Sequence, residues 1–172
     1  MSNIILIGFM GCGKTSVGKK LASRNKLLFV DTDALIEKNS NQSIKDIFSH
    51  KGEAYFRELE TATIKSLLDE LDNAVISVGG GLPIKTGNGE LLGQLGTVVF
   101  LDASLETINK RLKNDKDRPL FSNKDNKVEE LYHFRKPIYT QYAHMIIQVD
   151  NMNIDDIIDD IEKQLIIKSR ER

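Results

Sequence analysis

The chain has 172 residues, 40% hydrophobic and 28% charged, enough to enclose one substantial core and too apolar for disorder. Twenty-four basic residues against 25 acidic ones leave a formal net charge of -1, so no basic field draws it to nucleic acid or a membrane surface. No apolar run approaches the roughly 18 residues of a bilayer span. The run Ile4-Ile5-Leu6-Ile7 lacks the flanks of a signal peptide, and the lone Cys12 excludes a disulfide framework or a multi-cysteine zinc site. We expect one cytoplasmic domain over residues 1–172.

Strands are predicted over Ile4–Gly8, Leu27–Asp31, Val75–Val78, Val98–Asp102 and Met145–Val149, all nearly continuously apolar, as in a sheet covered on both faces. Helical-period segments alternate with them, which predicts βαβ units and a parallel sheet. The first strand runs into Gly8-Phe9-Met10-Gly11-Cys12-Gly13-Lys14-Thr15, which fits G-x-x-x-x-G-K-[ST] and opens a helix over Lys14–Ser23. Glycines in such a loop let backbone N–H groups wrap a phosphate at the positive end of the helix. Lys14 then reaches the β/γ oxygens as a point charge, and the Thr15 hydroxyl is a Mg²⁺ ligand. Cys12 reads as a small spacer rather than a nucleophile, with no His near it in sequence.

Two acids compete for a further Mg²⁺ contact. Asp31 and Asp33 follow the second strand, where alternation along an extended segment puts both carboxylates on one side, at the strand ends. The alternative for Asp33 is to cap a helix over Ala34–Lys38. Asp102 ends the Walker-B-like run Val98–Asp102; its alternative is to cap a helix over Leu105–Leu112. Extra helical turns over Thr32–Gly52 make the second crossover a subdomain, about 32–60. The next helix, Glu53–Leu71, carries Phe56, Leu59, Ile64, Leu67, Leu68 and Leu71 on one stripe. Gly79-Gly80-Gly81 marks a sharp turn or a close backbone approach to a ligand. The polar stretch Asn114–Lys127, with Pro119, reads as a lid spanning about 112–127. The last helix carries Ile154, Ile157, Ile158, Ile161 and Leu165 on one face, and no functional motif lies past residue 150. Asn123-Lys124-Asp125-Asn126 lacks the final Asp of a guanine-reading N-K-x-D. The chain has seven arginines against 17 lysines, in keeping with arginine reserved for bidentate work on carboxylate or phosphate.

The pieces G-F-M-G-C-G-K-T-S-V-G at 8–18, D-T-D at 31–33, F-R-E-L-E at 56–60, G-G-G at 79–81, R-P-L at 118–120 and R-K-P-I-Y at 135–139 together resemble the shikimate kinase family. The resemblance implies a P-loop kinase of the nucleoside-monophosphate-kinase-like α/β fold: a three-layer sandwich whose five-stranded parallel sheet carries helices on both faces. It implies ATP and shikimate as substrates, transfer to the 3-hydroxyl, one Mg²⁺ ion with ATP, and a monomer. Carried over by position, Gly11, Cys12, Gly13, Lys14, Thr15 and Ser16 hold ATP phosphates, Arg111 stacks on adenine, and Arg118 crosses from the lid. Thr15 binds Mg²⁺, Asp31 holds it through water, and Ser77 stands behind. Asp33 takes the attacking hydroxyl, with Lys14 and Arg118 the other catalytic groups. Arg57 and Arg135 clamp the shikimate carboxylate, Gly79, Gly80 and Gly81 approach the ring, and Glu60 orients Arg57. Phe48 and Phe56 are pocket walls or plain core. Two rivals remain: a related kinase such as gluconate kinase, which gives no reason for Arg57, Arg135 and the triple glycine together, and a regulator that has lost turnover, although Asp33, Lys14 and Arg118 are intact.

Overall fold

The computed structural model describes residues 3–113 and 125–170. In chain order the elements are β1 (Asn3–Ile7), α1 (Lys14–Asn25), β2 (Leu28–Asp31), α2 (Thr32–Ser40), α3 (Ile44–Glu70), β3 (Ala74–Ser77), α4 (Asn88–Leu95), β4 (Gly96–Asp102), α5 (Leu105–Lys113), α6 (Asp125–Tyr142), β5 (Met145–Gln148) and α7 (Ile154–Arg170), with a 3₁₀ turn at Leu82–Ile84. All five strands pair in parallel in the order β2-β3-β1-β4-β5. This is the five-stranded parallel P-loop kinase architecture that the resemblance implies. With β1 in the centre, the loop after it opens where successive crossovers diverge to opposite sides, the place where α/β sheets bind ligands.

The three inner strands are buried almost throughout and apolar in their middles, because helices cover both of their faces. The outer two depart from that expectation. Leu28 on β2 is 57% exposed, and β5 alternates buried Met145 and Ile147 with exposed Ile146 and Gln148. They are edge strands, and an apolar run does not reveal which strands lie at an edge. The core joins the inner strands to Val17 and Leu21 of α1, Ile64 and Leu67 of α3, and Ile157, Ile158 and Ile161 of α7. A separate small cluster of Ile36, Ile47 and Phe56 holds α2 against α3. Phe56 is therefore core, while Phe48, 37% exposed, leans on it with ring centroids 4.8 Å apart. α3 bends at Gly52, where φ is 81°; Ile47 before the bend and Phe56 just after it belong to the small cluster, and Ile64 and Leu67 pack in the main core.

The capping alternatives offered for Asp33 and Asp102 both fall away. Asp31, not Asp33, caps α2: its Oδ1 accepts from the backbone N–H groups of Asp33 and Ala34 at 3.0 and 3.2 Å. Helix therefore starts at Thr32, and the D-T-D segment is not extended. Asp102 does not cap α5 either. Ser104 does, accepting from the Thr107 N–H at 3.2 Å, while Asp102 engages Lys136 and Gln148. Helix α4 and helix α6, the latter with Pro137 inside it, are additions that periodicity did not announce.

Candidate active site

The chain leaves β1 through Gly8, Gly11 and Gly13, whose φ values of 147°, 80° and 103° favour residues without a Cβ. Gly13 is the N-cap of α1 and brings no capping side chain, so the first N–H groups of the helix are left to a ligand. Lys14 Nζ donates to the carbonyls of Gly8 and Phe9 at 2.8 and 3.2 Å, folding the ammonium over the loop. The Cys12 side chain is 1% exposed and packs in the main core, as a spacer would. Arg111 reaches back from α5, donating to the Gly11 and Cys12 carbonyls at 3.1 and 3.0 Å.

Beside this loop, Thr15 Oγ1 donates to Asp31 Oδ2 at 3.3 Å, and buried Ser77 ends β3 in register with Asp31. Among the described residues no group of three or more His, Cys, Asp or Glu is placed to hold a metal. Hydroxyl and carboxylate oxygens of this kind suit Mg²⁺, which prefers to share its shell with phosphates and water over an all-protein cage. The donor set fits such an ion.

Asp33, two residues beyond the cap, turns inward. Its Oδ1 is buried without a hydrogen-bond partner. Burial raises its pKa, repulsion from Asp31 adds to the rise, and Lys14 opposes it. On α3, Arg57 is held from two sides: Nη1 donates to Glu60 Oε2 at 2.7 Å and Nη2 to Glu53 Oε1 at 3.0 Å. Glu60 is 1% exposed, and burial pushes its pKa up to about 7 against the pull of the adjacent guanidinium. That contact keeps a substantial ionised fraction near neutrality, and the ion pair with it.

The triple glycine joins these groups. A Cβ on Gly79 would stand 2.6 Å from Asp33 Oδ1, and one on Gly81 would overlap the Arg57 guanidinium. A Cβ on Gly80 would lie 3.5 Å from the Tyr139 hydroxyl and 3.6 Å from Arg135 Nη1. Tyr139 in turn donates to the Gly80 carbonyl at 2.6 Å, fixing α6 against the glycine turn. The segment is a turn, with the Leu82 N–H donating to the Gly79 carbonyl at 3.0 Å, and its bare backbone is surrounded by the carboxylates of Asp33 and Glu60 and by two guanidiniums.

Residues 11–16, Asp31, Asp33, Ser77, Gly79, Gly80 and Arg111 line one cleft of about 880 Å³. Arg57 and Arg135 do not line it; they stand beside it, around Gly81 and Gly80. Arg118 and most of the expected lid lie outside the described residues. The sequence reading missed the apolar wall of the cleft, made by Phe29, Leu112, Met152, Ile154 and Ile157. Three of these lie past residue 150, and scattered apolar residues carry no spacing signal that separates wall from core.

Comparison with known proteins gives the family and the fold. The family model described as shikimate kinase matches residues 10–166. A shikimate kinase of Sulfurihydrogenibium sp. is 45% identical over 161 residues, covering 94% of this chain and 96% of the relative. The shikimate kinase of Acinetobacter baumannii, solved in complex with shikimate, superposes with a TM-score of 0.89 at 34% identity, over 100% of this chain and 96% of that one. That of Aquifex aeolicus gives 0.86 at 34% identity, over 97% and 98%. With residues 11–15 of the phosphate loop, the glycine turn, Arg57 and Arg135 all inside the matched span, this chain belongs to the shikimate kinase family.

Proposed function

We propose that this chain transfers the γ-phosphoryl group of ATP to the 3-hydroxyl of shikimate, giving shikimate 3-phosphate on the route to chorismate and the aromatic amino acids. One observation carries the reading: the glycine turn at 79–81 gathers Asp33, Arg57 and Arg135 beside the cleft that opens on the phosphate loop. Shikimate is a small polyhydroxy carboxylate, and two guanidinium forks with a carboxylate between them match its charge and its hydroxyls.

The N–H groups of residues 11–16 and the Lys14 ammonium take the ATP phosphates, Lys14 exchanging its two loop carbonyls for phosphate oxygens. The base lies between Arg111 and the apolar wall at Met152 and Ile154. Thr15, and Asp31 through water, would hold one Mg²⁺ ion, which when bound neutralises phosphate charge. Arg57 and Arg135 hold the shikimate carboxylate, so the acceptor hydroxyl faces Asp33. The buried, unpartnered Asp33 Oδ1 takes the hydroxyl proton as the oxygen attacks. The transferring group spreads charge over its oxygens, and Lys14 with Arg118 stabilises it. A single chain supplies both halves of the cleft, so the active species is a monomer, and its place is the cytoplasm. Among the described residues no helix is long and apolar enough to cross a membrane.

The test is a coupled ADP-release assay with Mg²⁺ and ATP, offering shikimate, gluconate or nucleoside monophosphates as acceptors. Turnover with shikimate alone is expected. Preference for another acceptor, or no turnover with any, overturns the reading.

A further inference from the structure

The two guanidiniums at the acceptor end are held in different ways. Arg57 is fixed by the carboxylates of Glu53 and Glu60 on its own helix. Arg135 makes no ion pair with a carboxylate among the described residues, and its buried Nε has no hydrogen-bond partner. Its guanidinium lies over the Phe9 ring, 6.0 Å from the centroid, and meets the Tyr139 hydroxyl on its own helix, so its direction follows the rotation and height of α6. The face that α6 turns to the sheet carries Val128, Tyr132, Lys136 and Tyr139, four, eight and eleven positions on from the first. Three of them are buried, and the fourth is a lysine.

Lys136 meets Asp102, a carboxylate buried at the C-terminal end of β4, with Nζ 2.9 Å from Oδ1. Asp102 Oδ2 accepts from Gln148 Nε2 at 2.8 Å, which ties the carboxylate to β5. Lys136 also donates to the Tyr132 hydroxyl at 3.2 Å, and that hydroxyl donates to the Ala103 carbonyl at 3.0 Å. Apolar packing along a stripe tolerates sliding and rotation; the Lys136 side chain is 39% exposed, but its partner carboxylate is buried and tied to β5, which confines the cation to one direction, and setting register is the best-attested use of such pairs. We infer that the Asp102–Lys136 pair is a positioning element for Arg135: together with the Tyr139–Gly80 hydrogen bond it fixes the rotation of α6 so that the guanidinium faces the Gly80 turn. The inference rests on the reading of Arg135 as a carboxylate clamp and adds the residues that aim it.

The experiment combines steady-state kinetics with an NMR readout of the Arg135 Nε–Hε resonance, assigned by its loss in Arg135→Lys. Asp102→Asn is isosteric, and Lys136→Met keeps the length of the stem. Each should raise the shikimate KM by about tenfold, the size expected within one hydrogen-bonded network, with the ATP KM unchanged. Lys136→Arg keeps the cation and should recover most of the loss. In an Arg135→Lys background, Asp102→Asn should add almost nothing, because its effect passes through the missing guanidinium. The Arg135 resonance should shift or broaden in Asp102→Asn and return toward the native position in Lys136→Arg. An unchanged shikimate KM in both single variants overturns the inference. So do effects that multiply with Arg135→Lys, or a parallel rise in the ATP KM. If Asp102→Asn does not fold, Lys136→Met and Lys136→Arg decide the matter by the same criteria. If the wild-type chain does not use shikimate, the proposed function fails, and the NMR comparison still decides whether the pair aims Arg135.

Discussion

Glu60 is the buried acid whose behaviour follows most directly from geometry. Its carboxylate is 1% exposed, bonded at 2.7 Å to Arg57, and its pKa is pushed from the ordinary 4.5 up to about 7. Between these values the folded chain holds a proton that the unfolded chain has released. Its contribution to stability is therefore complete below pH 4.5 and is lost as pH rises through about 7. The displacement corresponds to about 3 kcal/mol. Glu60→Gln removes the titration and keeps a hydrogen-bond acceptor for Arg57. Asp33 is displaced in the same direction but is present in both proteins, so the difference between them isolates Glu60. Urea unfolding followed by far-ultraviolet circular dichroism, at several pH values from 4.5 to 7.5, measures that difference. Wild type should lose about 3 kcal/mol relative to Glu60→Gln across the interval. Parallel stability curves would refute the reasoning, and a wild type that gains on the variant with rising pH would show Arg57 outweighing burial.

Asp31→Asn keeps the α2 cap but loses the charge, so it should raise the Mg²⁺ concentration needed for half-maximal activity with little change in stability, whereas Asp102→Asn should leave that concentration unchanged; a Mg²⁺ titration of both variants checks the ranking. Arg118→Lys should lower kcat by roughly 10²-fold or more while leaving shikimate binding intact, and Arg57→Lys should instead raise the shikimate KM; a pure KM effect in Arg118→Lys, seen in steady-state kinetics, moves Arg118 out of the phosphate site. Cys12, 1% exposed, should react with a thiol reagent far more slowly in the native chain than in urea, and fast native labelling followed by mass spectrometry would contradict its place in the core.

The inner sheet was legible because strands buried on both faces are written as uninterrupted apolar runs, as Ile4–Ile7 and Val98–Leu101 are. Edge position was not, since it depends on strand order, which only the crossovers decide. Helix α6 was hidden by Pro137 and by a sheet-facing stripe that includes Lys136; its apolar spacing is too sparse for a periodicity signal. Asp31 and Asp33 fit a cap equally well by composition, and the choice fell to where the backbone leaves β2. The phosphate loop was plain from spacing, because glycines, Lys14 and Thr15 must sit at fixed intervals around a phosphate. Arg57, Arg135 and Gly79–Gly81 were pointed out as a set by family resemblance, and their meeting around one turn is a tertiary fact. The Met152 and Ile154 wall had no signature at all.

The central claim is that Asp33 serves the acceptor hydroxyl and not the nucleotide. Single-turnover transfer from ATP to shikimate, measured for wild type and Asp33→Asn alongside ATP binding by each, tests it most directly. The substitution is nearly isosteric and the α2 cap belongs to Asp31, so the fold should persist. A loss of about 10²–10⁴-fold in the transfer rate, with ATP affinity unchanged, is the predicted result. Transfer at the wild-type rate would contradict the account and leave Asp33 as a structural residue of α2.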